Sequence, residues 1–266
     1  MRKIERFAPI RSALVVILLF AFAFASGQQT SESDVLLRAM QDEMARSVAN
    51  LQLEGLEKPY FIEYAVTDSD NFNASAAFGA VVRSNRIRSR ILQTQVRVGR
   101  YDFDSSEFFS QSSLFSRSSF PAPLVVEDDY QALRHDIWLA TDASYKAAAE
   151  QLERKRAFVK NRVEEDSLPD FSREEPTTMI APLQQMKIDQ AQWEKQLREW
   201  STIFRQFSDI QESSVSLRVQ LLHKYLVNSE GTKTRKPEML VTLEARATTQ
   251  AADGVRLRHS VPFYAR

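Results

Sequence analysis

Three histidines are the side chains of this 266-residue chain best suited to bind a metal or move a proton at neutral pH, and they lie far apart. His135 falls within a helical pattern, and we interpret it as a helix-surface residue. His223 falls within a strand pattern and is predicted to face solvent. His259 precedes Ser260, but no carboxylate can be named as the third member of a catalytic triad. None of the three has a second ligand at helical metal-binding spacing.

Other catalytic patterns are missing from the sequence. Cysteine is absent, which excludes disulfides and thiolate metal sites, and the six glycines never cluster into a phosphate-binding loop. Two acidic runs, 164–166 and 174–175, fall in a proline-containing linker, where we expect solvated carboxylates rather than an acid–base pair. The sequence therefore assigns no catalytic, cofactor-binding or metal-ligating residue.

Three arginines, Arg86, Arg88 and Arg90, alternate on one face of a predicted strand. They could bind an acidic partner or form the solvated edge of a sheet, and the lack of interleaved aromatic residues favours the edge. The whole chain has 35 basic and 35 acidic side chains. This balance indicates no general attraction to nucleic acid or to an anionic membrane.

The amino terminus is typical of a secretory signal peptide. Four basic residues precede the apolar run 13–25, and small residues follow, so cleavage is expected after Ala25 or Gly27. The run is shorter than the roughly 20 residues of a membrane span, although an uncleaved signal anchor is the alternative. We therefore predict a signal peptide over 1–27 and an exported, periplasmic or extracellular protein with no other membrane segment.

The elements expected over residues 28–266 are helices and antiparallel strands, with a linker at about 163–188. Apolar residues recur at helical spacing up to about Leu51, over 129–161 and after Asp189. Strand patterns cover 60–67, 73–83, 88–98, 215–227, 239–248 and 256–264. The polar clusters 68–71 and 84–85 are predicted turns. This order predicts an α+β fold in which two or three long amphipathic helices pack on an antiparallel sheet.

Residues 103–120 contain five phenylalanines among eight serines and are predicted to form a long loop. Such a loop can be a flap over a site, a docking segment, or a loop whose aromatic rings pack on their own domain.

Several runs resemble the amino-terminal region of exported members of the TldD/PmbA family, also called the modulator-of-gyrase family of zinc metallopeptidases. These runs are LEGLEKPYFIEYAV (53–66), SAAFGAVVRSNRIRSR (75–90), QVRVGRYDFD (95–104), DDYQALRHDIWLATDASYKAA (128–148), YLVNSEGTKTR (225–235) and TTQAADG (248–254). The resemblance implies an α+β unit that helps to enclose an extended or unfolded peptide. It also implies an H-E-x-x-x-H zinc helix in the peptidase subunit's other half, which has no counterpart in this sequence.

The function expected from this resemblance is non-catalytic. The chain corresponds to the peptide- or partner-binding amino-terminal part of an exported TldD/PmbA-like metallopeptidase, without the zinc-binding half and inactive alone. Its partners would be an unfolded protein segment or a TldD/PmbA-like subunit. The alternative is a stand-alone envelope interaction protein held by a signal anchor. The last predicted strand, 256–264, is expected to leave an open edge that accepts an extended peptide, the missing half of the fold, or a second copy.

Overall fold

A computed structural model describes residues 34–106, 121–160 and 169–265. The α-helices are α1 (Val35–Asn50), α2 (Tyr130–Val159) and α3 (Gln190–Ser201), and a 3-10 turn (Thr202–Gln206) follows α3. The strands are β1 (Pro59–Ala77), β2 (Ala80–Arg100), β3 (Phe103–Asp104), β4 (Pro121–Leu124), β5 (Thr178–Ile180), β6 (Ile210–Asn228), β7 (Lys233–Gln250) and β8 (Arg256–Ala265). The predicted α+β class is confirmed.

The strands form one sheet in the order β3-β2-β1-β6-β7-β5, with β4 beside β2 and β8 beside β7. All neighbouring strands run antiparallel except β5, which lies parallel to the start of β7. The helices cover one face of this sheet, and successive side chains of the long strands alternate between that covered face and the other face. The amphipathic patterns of the sequence thus produce a sheet with one covered face.

Each helix begins at an aspartate that caps it. Asp34, Asp129 and Asp189 accept hydrogen bonds from backbone N–H groups in the first turn of α1, α2 and α3. These side chains satisfy donors that have no partner within the helix. Among the described residues, no helix is both long and apolar enough to span a membrane.

Two hydrophobic clusters lie on the covered face. The first core joins α1 and α2 to the sheet through residues such as Met40, Tyr64 and Ile137. The second core joins α3 and the 3-10 turn to the sheet, with Phe72 and Leu197 among its buried members. Since β1 contributes to both cores, the stretch of β1 between Val66 and Phe72 crosses the gap between them.

The predicted turns at 68–71 and 84–85 are wrong. Both clusters lie inside the hairpin of β1 and β2, which turns instead at Phe78 and Gly79. These two residues have φ values of 47° and 80°, and a two-residue hairpin turn requires such positive φ values at both central residues to match the right-handed twist of the strands. Residues 68–71 continue β1 because they pair with β2 and β6, and residues 84–85 continue β2 because they pair with β1.

Candidate functional site

A belt of charged side chains crosses the covered face between the two cores. Asp68 of β1 lies in register with Arg90 of β2 on one side and with His223 of β6 on the other. Arg235 of β7 lies in register with Tyr225, two residues along β6 from His223. This polar belt, defined by these five residues and their ion-pair partners, places charges where a sheet normally buries apolar residues.

Arg90 is the centre of the belt and is only 4% exposed. Its Nε donates to Asp68 Oδ2 at 2.9 Å, and its Nη2 donates to Asp128 Oδ1 at 2.6 Å. Its Nη1 donates to the carbonyl oxygens of Val125 and Glu127. The prediction of a solvated edge arginine is therefore wrong for Arg90, because these partners replace the water that burial removes.

Arg235 forms the second buried ion pair, with Asp34 at the start of α1. Both side chains are almost inaccessible to solvent, and Arg235 Nε also donates to the Ala181 carbonyl oxygen at 2.7 Å. The Asp34 carboxylate accepts the Leu37 N–H as well, so one side chain caps α1 and ties it to β7. This pair links residues 201 positions apart in the chain.

His223 is buried, so the prediction of a solvent-facing strand position is wrong. Its Nε2 accepts the backbone N–H of Gln184 at 3.0 Å, which fixes the ring against the segment that precedes α3. Burial lowers the pKa of His223, and the neighbouring Asp68 carboxylate only partly opposes this effect. His223 is therefore held in the neutral form by its surroundings.

Four residues of the belt, all except Arg235, line a pocket with a volume of about 370 Å³. The lining residues are Asp34, Val35, Leu36, Asp68, Asp70, Arg86, Arg88, Arg90, Asp128, Leu183, Gln184, Gln185, Met186, Leu221, His223 and Tyr225. Most of them are polar, and burial raises the pKa of Tyr225, which keeps its phenol protonated. Such a pocket can bind a polar small molecule through hydrogen bonds and charge.

A second group of charged residues lies at the other end of the first core. Asp104 accepts hydrogen bonds from Tyr60 at 2.6 Å and from Arg97 at 2.9 Å, while Lys155 pairs with Asp170. Burial alone would raise the pKa of Asp104, but hydrogen bonds from Ser106, Tyr60 and Arg97 outweigh it and lower that pKa. These contacts tie Asp170, in the predicted linker, to α2 and to β3, and we assign them a structural role.

The other residues singled out in the sequence do not join either group. His135 lies exposed on α2, as expected, and His259 lies exposed on β8. Glu174 and Glu175 are exposed, whereas residues 164–166 lie outside the described residues. The phenylalanine-rich segment also lies outside them except for its first residues, of which Phe103 packs against the first core. Within the described ranges, no group of three His, Cys, Asp or Glu side chains could hold a metal ion.

The sequence predicted an open edge at the last strand, and the structure shows β8 as a strand of 10 residues. It pairs with β7 from Val241↔Ala265 to Gln250↔Arg256, and no other described strand pairs with its outer side. Most of its side chains are exposed, including Leu257 and Tyr264, while Phe263 packs against the second core. β8 is therefore attached to the second core on one face, and its outer edge is unpaired among the described residues.

Comparison with known proteins finds similarity at the level of structure. No family model and no curated protein sequence matches the chain. A modulator of a DNA gyrase from Thermotoga maritima aligns with 85% of this chain and 43% of its own length, at 12% identity and a TM-score of 0.46. TldE from Thermococcus kodakarensis aligns at 10% identity and a TM-score of 0.42, over 85% of this chain and 42% of its own.

A modulator of DNA gyrase from Bacteroides thetaiotaomicron aligns with 88% of this chain and 45% of its own length, at 12% identity and a TM-score of 0.44. These neighbours are TldD/PmbA-family proteins, the family that the sequence resembles. The chain spans less than half the length of each of them.

Proposed function

We propose that this chain is the non-catalytic, peptide-binding amino-terminal part of an exported TldD/PmbA-like metallopeptidase. The observation that carries this proposal is the outer edge of β8, with which no other strand in the described part of the chain pairs. Export is proposed on the signal-peptide pattern of residues 1–27. The bound species would be an extended segment of an unfolded polypeptide, taken up as an additional strand.

An open strand edge presents unsatisfied N–H and C=O groups that an extended peptide can pair with. Main-chain hydrogen bonds supply the affinity, so this mode requires little sequence preference in the peptide. The exposed side chains of β8, among them Leu257 and Tyr264, would contact alternate residues of the bound segment. The predicted use of residues 103–120 as a cover for that segment stays a prediction.

Pro262 defines which residues of β8 would bind. A proline is tolerated in a sheet only where its backbone nitrogen, which carries no hydrogen, points away from the hydrogen-bonded neighbouring strand. The backbone nitrogen of Pro262 is therefore expected to point away from β7, toward the outer edge of β8. Residues at even spacing from it, such as Ser260 and Tyr264, then direct their N–H groups outward. The missing donor at Pro262 also limits uncontrolled pairing between copies of the chain.

The test compares two substitutions at one position, Ser260→Pro and Ser260→Ala. The proline removes one outward N–H without a change in the residues that face β7, whereas the alanine keeps that N–H. Fluorescence anisotropy of a labelled, permanently unfolded polypeptide should show weaker binding for S260P and unchanged binding for S260A. If S260P does not fold, Pro262→Ala serves instead, since its new outward donor should leave binding equal or tighter.

Equal affinity of S260P and S260A, or loss of binding in P262A, would overturn strand addition at this edge. Sedimentation of the same samples distinguishes the other occupants. Self-association that rises with protein concentration and ignores the added polypeptide would assign the edge to a second copy.

A further inference from the structure

Arg88 lies between Arg86 and Arg90 on the covered face of β2 and lines the pocket. Side chains two residues apart on a strand are about 6.6 Å apart, so the three guanidinium groups extend from one row. Like charges this close repel each other unless carboxylates are interleaved. The distribution of carboxylates in the belt therefore decides what Arg88 can do.

Two of the three arginines have carboxylate partners. Arg90 is paired with Asp68 and Asp128, as described above. Arg86 binds both oxygens of Asp70 through two hydrogen bonds, Nε to Oδ1 at 2.8 Å and Nη2 to Oδ2 at 2.5 Å. Asp70 is the residue directly opposite Arg88, but Arg86 occupies its carboxylate.

Arg88 has no ion pair and no hydrogen bond with any residue that the structure describes. Three carboxylates around the pocket, buried Asp34 and the partly buried Asp68 and Asp70, are matched one to one by Arg235, Arg90 and Arg86. The further carboxylate, on Asp128, is 63% exposed and pairs with Arg90 rather than with Arg88. Among the described residues, Arg88 is thus a pocket-lining cation without a carboxylate partner, and its exposed side chain is accessible to a ligand.

We propose that the pocket binds a small molecule that carries a carboxylate or phosphate group, and that Arg88 holds this group. A guanidinium offers parallel N–H donors that match two oxygens of either group. The volume of about 370 Å³ is within the range of small-molecule sites, and Gln184 and Gln185 offer amides to the rest of the ligand. This site is lined by residues of β1, β2 and β6, and β7 lies between it and the β8 edge.

Isothermal titration of the full chain with sodium acetate and with inorganic phosphate, at constant ionic strength made up with chloride, tests the proposal. The variants are Arg88→Gln and, as the control, Arg83→Gln, which removes an exposed arginine of the same strand outside the pocket. We expect saturable binding of at least one anion. Binding should weaken about 10- to 100-fold in R88Q, as for the loss of a charged hydrogen-bond pair, and stay unchanged in R83Q.

The two anions also distinguish the ligand class, since tighter acetate binding indicates a carboxylate and tighter phosphate binding a phosphoryl group. Saturable binding of neither anion would overturn the proposal. An equal loss of anion affinity in R88Q and R83Q would overturn it as well. The anion would then be attracted by the overall positive charge of the strand and not by a site at Arg88. Neither result depends on whether β8 binds a peptide.

Discussion

Removal of the buried arginine Arg235 is expected to leave the carboxylate of Asp34 without a counter-charge. Arg235 is 1% exposed, and its guanidinium is the ion-pair partner of Asp34 in the space between α1 and β7. Arg235→Met keeps an unbranched apolar chain at this position but removes the charge and the hydrogen bond to Ala181. Breaking one side of a buried ion pair costs about 3–5 kcal/mol, so R235M should lower the free energy of unfolding by that amount.

The double variant gives the sharper test. Asp34→Asn keeps a side-chain oxygen that can cap α1. It also removes the negative charge that would be buried without a counter-charge in R235M. D34N should therefore destabilise the native protein but restore part of the stability when it is added to R235M. Urea denaturation of the four proteins measures these free energies from a double-mutant cycle.

An exposed ion pair supplies the control. Arg256 and Glu212 are both 58% exposed, so Arg256→Met should cost less than about 1 kcal/mol. The reasoning would be refuted if R235M cost no more than R256M. It would be refuted equally if D34N destabilised R235M as much as it destabilises the native chain.

Two further predictions follow from backbone strain and from burial of an imidazole. Gly99 has a φ of 105°, and a Cβ there would lie 2.6 Å from the Phe103 carbonyl oxygen. Gly99→Ala should therefore lower the free energy of unfolding, measured by urea denaturation, by about 3 kcal/mol. Gly254→Ala should lower it by only about 1 kcal/mol, because a Cβ at Gly254 would lie 3.8 Å from its nearest neighbour, Gln250 Nε2. Burial lowers the pKa of His223 in the folded protein, so the unfolded chain binds a proton more readily. The contribution of His223 to the free energy of unfolding should therefore be constant above about pH 6.5 and decrease as the pH falls below that value. His223→Gln should flatten this loss in unfolding measured between pH 5 and pH 8, and a profile as steep as that of the native chain would contradict the assignment.

Most of the elements could be predicted because their signals are local. The three helices each combine an aspartate cap with apolar residues at helical spacing, and both features lie within one short segment. The strands β6, β7 and β8 have glycine-containing turns between them, which the sequence shows directly. For such elements the residues that decide the structure are near neighbours in the chain.

The polar belt could not be predicted in this way, because its partners are distant in sequence. Asp68 and Asp70 have the composition of a turn, and only their pairing with Arg90 and Arg86 makes them strand residues. The sequence did contain one indication of this hairpin. Asp68 and Arg90 each lie 11 residues from Gly79, so the two residues would face each other if the chain turned at that glycine. Complementary charges placed symmetrically about a possible turn would have identified the hairpin.

The burial of His223 depends on a different kind of long-range contact. Along the sequence around His223, apolar and polar residues alternate as in a strand with one solvent-exposed face. This pattern alone does not show which face of the strand the helices cover. The segment that contains Gln184 covers the ring, and it lies 39 residues away in the chain. This contact is visible only once the sheet is assembled.

Amide hydrogen exchange is a direct test of the proposal that the outer edge of β8 takes up an extended polypeptide. Exchange is followed by mass spectrometry on the chain alone and with an excess of a permanently unfolded polypeptide, at several protein concentrations. If β8 binds the added polypeptide as a further strand, exchange of the outward amides within 256–264 should slow, at Ser260 and Tyr264 among them. Unchanged exchange in this strand with saturating polypeptide, or protection that follows protein concentration alone, would contradict it.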